Sequence, residues 1–325
     1  MSVAKKLMIS GGNWADIRTL FATSLYTGNG ATQTLDNGIN LSGEGGLVWI
    51  KRRNSSADHH LFDTDRGATK YLSTNSTANE TVGSTTLTSF LDNGYSIGSA
   101  SSINGSGSPH VSWSFRKSPR FFDIVTYTGN GVAGRQIPHR LGVPPGLLVV
   151  KMLSIDPWRL QHRSVAATHN LSINTTAAAT ASETIWNNTA ADELSFTLGS
   201  SGSVNASGLS YVAYLFAHDP SSDGVIQCGS YTGNGLSLGP TINLGWKPQY
   251  LLIKNASSTG DWFVFDAVRG INSGNEPFLR ANLADAESSN QYVNIFDTGF
   301  QVATTASGVN ASSNSYIYMA IRAPE

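Results

Sequence analysis

A chain of 325 residues with a net charge of −1 has only 13% charged side chains, about half the roughly 25% usual in soluble domains. Its surface must then be Ser, Thr, Asn and Gly, which excludes long Glu- and Lys-coated helices and favours turn-rich all-β structure. The basic residues are scattered and there is one cysteine, Cys228, so a cationic face for nucleic acid or membrane and an intrachain disulfide framework are both excluded.

In chain order, "MSVAKKLMISGGNWA" has an apolar run too short for a secretory core. No stretch approaches the roughly 18 apolar residues of a membrane span. "NWADIRTLFATSL" predicts the one helix: Asn13 caps it, and Trp14, Ile17, Leu20 and Phe21 share a face. Residues 1–22 are therefore expected to form an anchoring segment. Its stripe packs on the adjoining domain or docks into a partner subunit of a particle.

The word "YTGNG" then occurs three times, at Tyr26, Tyr127 and Tyr231. Each copy leads to a β-branched run ending in lysine, "LVWIK", "LLVVK" and "YLLIK", which predicts a buried strand leaving the core. Each module ends on an asparagine (Asn104, Asn205, Asn310) and an alternating aromatic run, "HVSWSF", "YVAYLF" and "YIYMAI". A period near one hundred residues is too long for a solenoid and predicts three small domains. The expected fold is all-β, three tandem antiparallel β-sandwich modules of jelly-roll or lectin type, at residues 23–118, 119–220 and 221–325. The short junctions around Pro119 and Pro220 predict modules held in a row.

Gly-Asn-Gly tolerates positive φ, so the repeated word is expected to be a joint between strands, its tyrosine hydroxyl bonded to nearby backbone. The middle copy, "GNGVAG", matches a phosphate-binding glycine pattern, but Pro138, Pro144 and Pro145 forbid the helix that would have to come next. "FDTDRG" and "FDAVRG" place Asp63 with Arg66 and Asp266 with Arg269. They are read as a carboxylate–guanidinium pair pinning a turn, with the floor of a sugar-binding groove as the functional alternative. Trp158, beside Pro157, is the tryptophan expected to be most exposed and able to stack on a sugar. No catalytic, cofactor-binding or metal-ligating constellation is visible: His59 and His60 are adjacent and face opposite sides of a strand.

The order "YTGNG … LVWIKR-x-N … H-x-LFD-x-x-RG … K-Y-L-S-x-N-S-T … V-x-W-x-F" resembles a recurring module of structural proteins of tailed, especially marine, bacteriophages, of tail-fibre or laminin-G-like lectin type. The resemblance implies a non-enzymatic virion protein made in the host cytoplasm, a tail fibre or spike that contacts host glycans. Capsid decoration or a polysaccharide depolymerase is the alternative. It implies other virion proteins as partners, and a homo-oligomer, trimeric on such particles; no cofactor, nucleic acid or membrane is expected. The middle module lacks "FD-x-x-RG", so a ligand role is expected to be least secure there.

Overall fold

The computed structural model describes residues 16–271 and 274–325. It is all-β, 43% strand and 7% helix, built from antiparallel sheets with only short helices. Each module repeats one four-strand order. In the first, Phe21–Thr27 pairs with Pro109–Arg116, which pairs with Gly46–Arg52, which pairs with His60–Asp63. The second repeats it with Phe122–Thr128, Ser210–Ala217, Pro145–Met152 and Arg159–His162. The third uses Ile226–Thr232, Ser315–Arg322, Pro248–Asn255 and Trp262–Asp266.

The central strands read as unbroken apolar runs because both faces of each main sheet are covered. In the first module Val48, Ile50 and Phe62 face a smaller sheet with Tyr95 and Ile97, closing the module's own core. Leu47, Trp49, Trp113 and Phe115 face the other way, into a core shared with Leu160, Tyr214 and Phe216 of the second module and Tyr250, Leu252 and Met319 of the third. Sandwiching is therefore double, and the second layer belongs to the molecule rather than to any one module.

The modules do not lie in a row. They close a ring, and each junction carries the same pair of backbone hydrogen bonds. Ala57 N donates to Ala284 O and Glu287 N to Arg53 O between modules one and three; Asp156 N donates to Thr77 O and Glu80 N to Leu153 O between two and one. Gly260 N to Thr176 O and Ala179 N to Ala256 O complete the set between three and two. A row leaves one apolar sheet face wet at each end, whereas a ring of three buries all of them. The pseudo-threefold is intramolecular.

The expected N-terminal helix is also corrected. Asn13 and Trp14 lie outside the described residues; Ile17–Thr19 make a single 3-10 turn, and Phe21 already begins a strand. Ile17, Leu20 and Phe21 are buried in the shared core, so of the two expectations for the stripe it is packing within the chain, rather than docking into a partner, that these three residues follow. "GINLS" runs into a helical turn at Leu41–Glu44 capped by Asn40, and the strand before it is Gln33–Asp36.

The repeated word is a joint, in three near-identical copies. Tyr26, Tyr127 and Tyr231 hydroxyls donate to Ile103, Val204 and Val309 carbonyls at 2.7, 2.8 and 2.8 Å. Asn29, Asn130 and Asn234 amides donate to the buried side chains of Asn104, Asn205 and Asn310. The two glycines do different work. Gly30 takes φ of 71°, whereas Gly28 is needed for space, since a Cβ there would lie 2.3 Å from Gly105 O. Gly30→Ala is accordingly expected to cost about 1–2 kcal/mol of left-handed strain. Gly28→Ala should cost more, because the obstacle is backbone. Thermal melts of the two variants check the order, and equal melting would contradict it.

Candidate functional site

The structure buries the residues that the sequence offered as ligand contacts. Asp63 and Asp266 are fully buried, and Arg66 and Arg269 nearly so. Each aspartate accepts from its arginine's backbone N–H at 2.8 Å and from Nε at 2.5 Å. They pin turns, and they also join modules. Tyr214 of the second module donates to Asp63 at 2.8 Å, and Trp113 of the first donates to Asp266 at 3.0 Å. In the second module the aspartate's place is taken by His162. Its Nδ1 accepts from Ser164 N, so Nε2 donates, to Tyr318 O of the third module at 3.2 Å.

Trp158 is likewise buried rather than exposed, because its ring closes a module junction. Its indole N–H donates to Ser73 O and Ser76 O of the first module at 3.1 and 3.0 Å. At the equivalent position Trp262 donates to Ser172 O of the second module at 3.1 Å. His59 holds the third such position: Trp49 donates to its Nδ1, leaving Nε2 to donate to Arg280 O.

Perturbed titratable groups often mark functional sites, and here they belong to the scaffold. Lys51, Lys151 and Lys254 stand next to last in equivalent strands with no exposed surface. Burial lowers each ammonium to about 8. All three donate to main-chain carbonyls: Lys51 to Arg52 O, Lys151 to Met152 O and Ser154 O, Lys254 to Thr176 O and Gly260 O. Cys228 is buried, and desolvation pushes its thiol up, away from the reactive thiolate. Among the described residues no three His, Cys, Asp or Glu side chains gather as a metal site would require.

A further departure from the symmetry leaves polar side chains where the sister modules carry rings. Register identifies His60, Arg159 and Phe263 as equivalent, paired with Ile50, Val150 and Ile253. In the first module His60, Phe62 and Tyr71 pack as an aromatic cluster; in the third Phe263, Phe265, Phe278 and Tyr292 do so. The second module places Arg159, Gln161 and Asn170 there. Gln161 is absorbed, donating to Thr189 O and accepting from Ala191 N. Where the other modules have a third strand in the small sheet, the second has the helical turn Glu183–Trp186, with Trp186 filling the core.

Between that turn and Arg159 lies a groove of about 440 Å³, lined among others by Asn170, Ser172, Thr175, Ser182, Thr184 and Ser201. Arg159 NH1 donates to Asn170 Oδ1 at 3.2 Å and Ser172 Oγ at 3.5 Å, and NH2 to Ser203 Oγ at 3.3 Å. Its Nε is buried without a partner. Hydroxyls, an amide and a guanidinium can bind and orient a polar ligand; they include no general acid–base pair and no activated nucleophile. Motifs in the sequence do not single out Arg159. Aligning the modules on these strand lysines reveals the signal, a polar residue where both sister modules carry a ring.

No curated protein and no solved structure matches the chain. The family described as Domain of unknown function (DUF7483) matches residues 18–324, a span that takes in all three modules and the ring they close. The chain belongs to that family.

Proposed function

We propose that the protein is a non-enzymatic structural component of a bacteriophage particle, the rigid body of a tail fibre or spike that meets host-surface saccharide through its middle module. One observation carries the reading. Asp63, Asp266 and Trp158, the side chains that offered ligand chemistry, are taken up by internal pairing, and a polar groove without carboxylates lies where the second module departs from its sisters. A closed ring with a shared core suits a protein that must transmit position without deforming, and the resemblance of its modules to phage structural proteins supplies the particle.

Two measurements test this. Immunogold labelling of intact particles should find the protein on the tail; labelling of the head shell instead favours the decoration reading. Incubation with host capsular polysaccharide should release no reducing ends, and their accumulation would establish a depolymerase. Absence of the protein from particles overturns the proposal.

A further inference from the structure

We propose that the middle-module groove is a subsite for an acidic saccharide, with Arg159 taking a carboxylate and the surrounding serines and threonines taking ring hydroxyls. This rests on the saccharide-contact reading above and names the class of sugar.

The sister modules make the argument. Arg159, half-buried where the fold otherwise packs aromatic rings, loses part of its hydration, a cost that a counter-charge would offset. Arg66 and Arg269 each have one, from Asp63 and Asp266. Among the described residues Arg159 has none: its three hydrogen bonds go to one amide and two hydroxyls, at 3.2–3.5 Å. The carboxylate of Asp156 is reached only through Ser203 Oγ, which donates to it at 3.2 Å. Neutral, long contacts and an orphaned Nε leave the guanidinium's charge without a direct answer among the described residues. The planar fork matches a carboxylate in geometry as well as sign.

The rest of the lining separates a sugar acid from a simple anion. Ser172, Thr175, Ser182 and Thr184 offer hydroxyls that both donate and accept, the pairing that sugar hydroxyls need. Ala178 and Ile185 supply apolar surface for the C–H face of a ring. A volume of about 440 Å³ lies within the range of small-ligand sites.

The test uses the full chain and three probes, glucuronate, glucose and acetate, titrated by calorimetry or amide chemical shifts. Glucuronate is expected to bind about tenfold or more tighter than either glucose or acetate. Arg159→Gln should remove that preference for glucuronate over glucose. Ala181→Trp, at the exposed rim of the groove, should abolish binding without touching Arg159, which keeps the test alive if the arginine variant does not fold. Equal binding of glucose and glucuronate, acetate matching glucuronate, indifference to both substitutions, or no glucuronate binding at all would each overturn the inference. Particles that still adhere to host saccharide with Arg159→Gln would defeat this inference and leave the proposed function standing. Glucuronate binding by a protein absent from particles would do the reverse.

Discussion

Asp266→Ala is expected to lower the unfolding free energy by about 3–5 kcal/mol, the cost of breaking a buried ion pair from one side. The carboxylate has no exposed surface, and three donors converge on it: Arg269 N, Arg269 Nε and, from another module, Trp113 Nε1. Its removal leaves the guanidinium leaning on Glu287 at 3.2 Å and Val264 O at 3.0 Å, and it strands an indole N–H in the shared core. The second module indicates how the loss is relieved, since His162 and Val165 stand there with no ion pair between them. The double variant Asp266→Ala with Arg269→Met should therefore recover much of the deficit, with Trp113 still unpaired. Urea denaturation of the three proteins measures this. A double variant no better than the single one would show that the pair's worth lies in its turn rather than in its charge.

Acidification from pH 7 to 4.5 is expected to weaken the fold steeply. Burial holds His60, His110, His162 and His218 at about 4, and drives His59 well below its ordinary 6.5. The folded state therefore refuses protons that the unfolded chain takes up. Stability is fully present above 6.5 and is lost as pH falls toward 4. Each additional proton bound on unfolding steepens the loss by about 1.4 kcal/mol per pH unit. The lysines act with the same sign at the other end. Lys51, Lys151 and Lys254 are deprotonated above about 8 in the folded state, while the unfolded chain keeps its protons to 10.5, so stability rises across that window. Buried tyrosines such as Tyr26, raised above 10 by desolvation, oppose this beyond pH 10, where only the unfolded chain ionises. Urea midpoints from pH 4.5 to 10 trace the curve. A flat profile between 7 and 4.5 would mean that the histidines are hydrated.

The joints, the threefold repeat and the all-β class were legible in the residues because they are local. Asn29 bonds to Asn104 in the same module, and the backbone bends where Gly30 allows it. Trp158 misled for the opposite reason. Beside a proline at a turn it has no local partner, and only the first module's Ser73 and Ser76 carbonyls make its burial intelligible. Ile17, Leu20 and Phe21 kept helical spacing in the sequence, yet the chain places Phe21 on a strand whose partner, Phe115, lies far along it. Arg159 went unnoticed because its meaning is comparative, resting on what His60 and Phe263 do in the same place.

Residue order alone was enough for three copies of one β module, for where each turns and for the tyrosine that ties the turn, since these bonds are satisfied within a hundred residues; that Asn104, Asn205 and Asn310 lock the same turns is seen in the folded chain. The closure of the copies into a ring, and the groove beside Arg159 in one of them, emerge from three-dimensional packing alone. A sheet that is apolar on both faces does not say what covers it. That choice is made by the area three such faces bury together, a property of the assembled chain and of no segment of it.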